Sequence, residues 1–167
     1  MHIYRGALAA LALRPRSASR EAAAAFCASH MANEASHLRL FEAVVPEGKR
    51  TRLLPLWRVA GWTLGFAPTL AGGGRALYVT VEAVETFVEE HFLEQIVPLK
   101  ATSSATSGSS ELVRMLEHCC ADEVHHKEDA AKHLLDGEEG FDAWWVRPWS
   151  ALVRQGSAVA AEIARRL

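Results

Sequence analysis

Glu34 and His37 stand three residues apart in the stretch NEASH, and Glu123 and His126 stand three apart in DEVHH. On an α-helix, positions i and i+3 share a face, with Cβ atoms about 5–6 Å apart. A carboxylate and an imidazole so placed can hold one metal ion together, or the carboxylate can bridge to a second ion. The same pairs also arise on solvated faces of ordinary helices, because both residue types are tolerated there. Spacing alone leaves both readings open.

Helical carboxylate proteins that hold two irons use this pattern twice, adding a single Glu from each of two further helices. TVEAVETFVEEHFLEQI offers Glu82, Glu85, Glu89, Glu90 and Glu94 among large apolar residues, with no Lys or Arg over residues 81–96. A solvated face usually mixes the two signs. An acidic stripe without them fits a buried site in which a metal's charge stabilises carboxylates otherwise costly to bury.

The elements that must carry these residues are helical. Candidate helices cover residues 2–13, 18–45, 52–72, 74–100, 109–136 and 141–167. RPRSAS, VPEGK, the GGG at 72–74, a Ser/Thr/Gly loop at 100–110 and DGEEG at 136–140 separate them, with Ser110 as N-cap of the fifth. Short connections favour an all-α, antiparallel bundle. The 167 residues suffice for a single domain spanning 1–167.

Composition narrows the class. A net charge of −2 carries no nucleic-acid footprint. Cys27, Cys119 and Cys120 are odd in number and two are adjacent, which argues against a disulfide framework and for a reducing compartment. Residues 1–20 hold four Arg and no acid, the composition of a transit segment or of a short buried helix followed by a basic loop. Residues 53–72, LLPLWRVAGWTLGFAPTLAG, are apolar for about the length of a membrane span, but Arg58, Pro55, Pro68 and three glycines favour an apolar hairpin lying partly in a membrane interface.

That same stretch resembles the LxPLWNVAGFxLGxGTALLG segment of the demethoxyubiquinone hydroxylase family, ferritin-like diiron monooxygenases of ubiquinone biosynthesis. In order along the chain, NEASHLRLF resembles the family's xExxHLxxF, VEAVETFVEEHFLEQI its AVEExIxxHYxxQI helix, and DEVHH its late Glu-x-x-His helix. The closing AEIARRL is similar to YLSERL. The resemblance is firmest over residues 30–130.

Residue by residue, the resemblance implies iron ligands at Glu34, His37, Glu85, Glu123 and His126, with His91 orienting a ligating carboxylate by a hydrogen bond. It implies a ferritin-like bundle with a membrane-facing apolar hairpin, in which Leu53, Leu56, Trp57, Trp62 and Phe66 face membrane or quinone. It further implies hydroxylation of a 5-demethoxyubiquinol-type polyprenyl quinone by a pair of iron ions, O2 and electrons derived from NADH. No Gly-x-Gly-x-x-Gly nucleotide fingerprint is present in the chain itself. A lipid-binding partner protein is implied too, as is a peripheral membrane location: the matrix side of the mitochondrial inner membrane, or the cytoplasmic face of a bacterial membrane.

One departure stands out. The family's first helix carries a ligand Glu in a GExGAxxIYxG stretch, and IYRGALAAL matches only its later part, so that Glu would fall before Met1. The chain then reads as an amino-terminally incomplete copy or as a five-ligand variant. In the second case a non-catalytic quinone- or iron-binding subunit of a biosynthetic complex is the alternative function.

Overall fold

The computed structural model describes residues 1–102, 107–135 and 143–166. Five α-helices make up the fold: α1 (His2–Ala12), α2 (Ala18–Val44), α3 (Leu54–Thr102), α4 (Ser107–Leu135) and α5 (Val146–Arg166), with a 3₁₀ turn at Glu47–Lys49. The all-helical expectation holds among the described residues. The 136–140 turn lies outside them.

Helix starts and stops follow local chemistry. Ser17 caps α2 by accepting a hydrogen bond from the Arg20 amide at 3.2 Å, and Glu21 lies in the positive first turn. Ser110 does not cap α4, which begins at Ser107; of the loop expected at 100–110, residues 100–102 and 107–110 are helical and 103–106 lie outside the described residues. Residues 2–12 form a packed helix, with Tyr4, Ala7 and Leu11 in the core.

The hairpin expected within residues 53–72 is instead one continuous helical arm. α3 breaks at Gly73, where φ is 64° and ψ −150°, into arms of residues 54–72 and 74–102. Only glycine adopts this conformation without strain, so the turn falls inside the GGG stretch. Arg14 supports the turn: its guanidinium donates to the Leu70 carbonyl at 2.6 Å and lies against Gly73. Among the described residues no helix is long and apolar enough to cross a membrane.

α1 seats on the first arm through glycine. A Cβ on Gly6 would meet the Trp62 carbonyl oxygen at 2.0 Å, and one on Gly65 would meet the Ile3 carbonyl oxygen at 1.9 Å. Backbone touches backbone here, which brings Tyr4 far enough inward to reach the site. α2 and the second arm run in the same direction, with Phe26 against Tyr78 and Phe41 against Phe92. α4 runs opposite to both: His30 meets Asp129 while His37 meets Asp122, and Glu89 pairs with Lys127 while Lys100 pairs with Glu117. α5 is held to the second arm by the Trp149 indole donating to Thr80 Oγ1 at 2.9 Å and by an Arg154–Glu90 pair at 2.7 Å.

Two apolar clusters result. One joins Tyr4, Leu11, Phe26, Leu77, Val81 and Leu134; the other joins Phe92, Ile96, Val113, Leu116, Cys119 and Cys120. Along α2, along the second arm and along α4, the Glu and His residues of interest fall between the two. The bundle's middle is therefore where buried polar groups collect.

Candidate metal centre

Glu85, Glu123 and His126 are 4%, 5% and 0% exposed, and Glu34 is half-buried beside them. One ligand atom from each of these four lies within 4.8 Å of the others. They come from α2, the second arm of α3, and α4, so the group exists only because three helices hold a common register. Four of the five expected ligands are thus brought together. His37, also buried, stands against them rather than among them: its Nδ1 is 3.0 Å from Glu123 Oε1 and its Nε2 2.9 Å from Asp122 Oδ2. Glu123 is the hub, because its other oxygen lies 3.2 Å from His126 Nδ1.

The electrostatics follow from burial and proximity. Burial pushes the Glu85 carboxyl well above the ordinary carboxylate range, and the nearby Glu123 and Glu34 charges push the same way. Burial would raise Glu123 as well, but hydrogen bonds from His126 and His37 more than offset it and hold the carboxyl at about 2. His37 gains most from its hydrogen bond to Glu123, which against the cost of burial raises it to about 9. Two acids of unlike protonation and an imidazolium therefore share one buried space. That is a state a cation would relieve by replacing protons.

Whether these residues suit a metal is tested by what they leave unmade. His126 Nε2 is fully buried and has no hydrogen-bond partner among the described residues. Glu85 is buried beside the other carboxylates, with the Tyr4 hydroxyl 3.5 Å from its Oε1. Carboxylate oxygen with imidazole nitrogen is a donor set that suits iron. The fit is good.

His91 does not join the site. Six residues after Glu85 it lies about 240° round the helix, where its ring stacks on Phe87 and its Nδ1 faces Glu94 at 3.6 Å. Two other acids of that helix are neutralised from other elements, and a third bonds within the helix. Glu89 pairs with Lys127, Glu90 with Arg154, and Glu82 accepts from Thr86. For Glu89 and Glu90 the missing Lys and Arg are supplied across helices, and of the acids on this helix Glu85 is the one sunk in the core.

Sequence reasoning missed Tyr4, His30, Asp122 and Asp129. His30 is 3% exposed, with Nε2 2.9 Å from Asp129 Oδ2 and its ring 4.2 Å from that of His126. A signal was present: His30 precedes His37 by seven residues, and Asp122 precedes Asp129 by seven. Two turns of helix bring such pairs to one face, so antiparallel helices carrying them can form two His–Asp bridges.

A pocket of about 410 Å3 opens onto the group. Glu34, His37, Glu85 and Glu123 lie on its lining with Leu38, Phe41, Val81, Val84, Val88 and Phe92, while Leu54 and Arg58 bring in the first arm of α3. Val84 and Val88 also line a neighbouring apolar groove of about 630 Å3, shared with Trp57, Leu64 and Phe87. Of the residues expected to face membrane or quinone, Leu56 and Trp62 are exposed, Leu53 and Phe66 are half-buried, and the Trp62 and Phe66 rings stack at 4.6 Å.

The family model described as ubiquinone biosynthesis protein COQ7 matches residues 1–164. An NADPH-dependent 3-demethoxyubiquinone 3-hydroxylase, mitochondrial, of Dictyostelium discoideum is 33% identical over 137 residues, 80% of this chain and 58% of the relative. A 3-demethoxyubiquinol 3-hydroxylase of Rhodospirillum rubrum is 35% identical over 112 residues, 61% of this chain and 49% of the relative. The Rattus norvegicus mitochondrial NADPH-dependent enzyme is 30% identical over 102 residues, covering 60% of this chain and 46% of its own length. The chain spans about half the length of the curated relatives it matches.

Proposed function

The chain belongs to the family of ubiquinone biosynthesis protein COQ7, and from that membership we propose that it is a diiron monooxygenase hydroxylating the ring of a demethoxyubiquinol-type polyprenyl quinone. The observation that carries the reading is the buried group of Glu34, Glu85, Glu123 and His126, with ligand atoms within 4.8 Å of one another at the floor of an apolar pocket. With His37 they are the residues assigned to hold the metal, on a single domain of ferritin-like type.

A bound pair of iron ions would supply oxygen activation, through which one atom of O2 enters the ring and the other leaves as water. The chain's own residues do the rest. Glu123, kept ionised by its two histidines, and Glu85, freed of its proton on loading, provide the anionic charge a dication requires. Asp122 accepts from His37 Nε2 and so holds the Nδ1 side toward the carboxylates. Val81, Val84, Val88 and Phe92 keep water from the floor of the pocket, which strengthens every charge interaction there.

The quinol ring takes the 410 Å3 pocket, and the polyprenyl tail leaves along the groove that shares Val84 and Val88 with it. Exposed Leu54, Leu56, Val59 and Trp62 on the first arm of α3 give the tail's exit an apolar rim. This rim suits peripheral seating on a membrane, the mitochondrial inner membrane being the location proposed. A lipid-binding partner would serve to deliver the tail. Electrons come from a reduced nicotinamide: NADH by the family resemblance, NADPH in the names of two relatives.

The test is turnover of a short-chain demethoxyubiquinol by iron-loaded protein under 18O2, with NADH and NADPH supplied separately. The expected result is product heavier by one 18O atom, lost in Glu85→Ala. Quinol binding without oxygen incorporation under either donor would favour the binding-subunit alternative.

A further inference from the structure

Each histidine expected to hold metal has a second ring nitrogen that needs a partner. For His37 that partner is Asp122 at 2.9 Å. For His126 the corresponding Nε2 is completely buried and meets no partner among the described residues. Burying such a nitrogen costs free energy unless another state of the site uses it.

The ring of His30 packs edge-to-face against that of His126. Its centroid is 4.2 Å from that of His126, with the planes at 68°. His30 is itself fixed. Its Nε2 is 2.9 Å from Asp129 Oδ2, its ring lies 4.3 Å from that of Phe26, and it is 3% exposed. A carboxylate only accepts, so the proton of a neutral His30 sits on Nε2 and its Nδ1 keeps a lone pair. His126 Nδ1 in turn faces Glu123 at 3.2 Å, on the side of the other carboxylates.

We propose that His30, anchored by Asp129, is the positioning residue for His126, supplying the acceptor for His126 Nε2–H once His126 Nδ1 binds metal. This rests on the diiron reading above and adds to it a role for a histidine outside the ligand set. Without metal, the His126 proton is on Nδ1, shared with Glu123, which leaves Nε2 a bare lone pair beside the His30 ring. When Nδ1 gives its lone pair to a metal, the ring's proton belongs on Nε2. A small turn of the ring then completes a chain from Asp129 through His30 to His126. The His37–Asp122 pair performs the same service one step shorter.

The experiment is Co(II) titration of the full chain under argon, followed by visible absorption, for the parent, His30→Phe, His30→Gln and Asp129→Asn. Phe fills the volume and keeps the contact with Phe26 but accepts no hydrogen bond, whereas the Gln side-chain oxygen can accept. Losing a hydrogen-bond partner behind a ligand typically weakens metal binding about 10–100-fold. The expected result is a loss of this size for one of the two Co(II) ions in His30→Phe, with an altered ligand-field band, near-parent binding in His30→Gln, and an intermediate loss in Asp129→Asn. Thermal midpoints of the metal-free proteins should stay together, which a merely structural role for His30 would not give. Should His30→Phe fail to fold, His30→Gln and Asp129→Asn, the latter at a half-exposed residue, carry the test. Parent-like affinity and spectrum in His30→Phe and Asp129→Asn, with a parent that loads normally, would overturn the role of His30 alone. A parent that takes up no Co(II) would overturn this role and the diiron reading with it.

Discussion

Glu123 shows how the site's residues depend on one another. Its carboxyl is pulled down to about 2 by two histidines, one of which it raises to about 9 in return, while Glu85 beside it is pushed well up by burial. The consequences for stability have a definite sign. The stabilisation from ionised Glu123 is present above about 4.5 and lost as pH falls toward 2. That from protonated His37 is full below 6.5 and lost as pH rises through 9. Glu85, with its raised value, costs stability increasingly as pH rises above 4.5. The metal-free protein is therefore expected to melt highest in mild acid, with its midpoint falling from pH 6 to pH 9. Loading with Fe(II) or Co(II), which takes the place of the protons on His37 and Glu85, should flatten or reverse that slope. Calorimetric midpoints with and without metal across this range check it, and parallel slopes would contradict it.

The site was partly legible at this scale. Glu34, His37, Glu123 and His126 could be found because i, i+3 spacing is a property of one helix. Choosing Glu85 over Glu82 and Glu89 came from resemblance, since composition treats all three alike. The structure separates them by burial and by partners: Glu85 is buried, Glu89 pairs with Lys127 on α4, and Glu82 bonds Thr86 on its own helix. His30 and Asp129 were missed for the same reason: their pairing depends on the register between α2 and α4.

Among the elements, the closest fit is α1 on the first arm of α3, where the Gly6 and Gly65 contacts leave no room for a methyl group. Neither obstacle is a flexible side chain, so a Cβ must push two helices apart and carry Tyr4 away from Glu85. Gly65→Ala should cost roughly 1–3 kcal/mol from overpacking. Gly156→Ala makes the opposite case. It lies within α5 with nothing within 4 Å of a Cβ, and should gain roughly 0.5–1 kcal/mol, the helix penalty of glycine. Urea unfolding of both variants decides the matter; equal midpoints would mean that α1 is not seated as described.

Helix boundaries were readable from punctuation. The GGG stretch marked the α3 break to the residue, because a reversal needs a backbone that only glycine adopts easily. Sequence could not show that the arm before it lies flat on the bundle. Its apolar length suggested a membrane span and its prolines and glycines an interfacial hairpin, whereas Gly61 and Gly65 serve contact with α1. Likewise a Ser/Thr/Gly stretch suggested a longer loop at 100–110 than the helices leave.

For the molecule as a whole, helical packing places a charged, partly protonated centre between two apolar clusters and opens it on one side. The ring pocket and tail groove share a wall, and the same arm that closes the pocket presents Leu56, Val59 and Trp62 outward. In the proposed reading, the metal centre and the route for the tail therefore lie side by side. The central claim is that the two Glu-x-x-His stretches are halves of one two-metal site. Iron content after anaerobic Fe(II) loading and desalting, in the parent and in Glu123→Ala, tests it most directly. About two irons per chain in the parent and sharply fewer in the variant is the expected outcome. One iron or none, unchanged by the substitution, would contradict it.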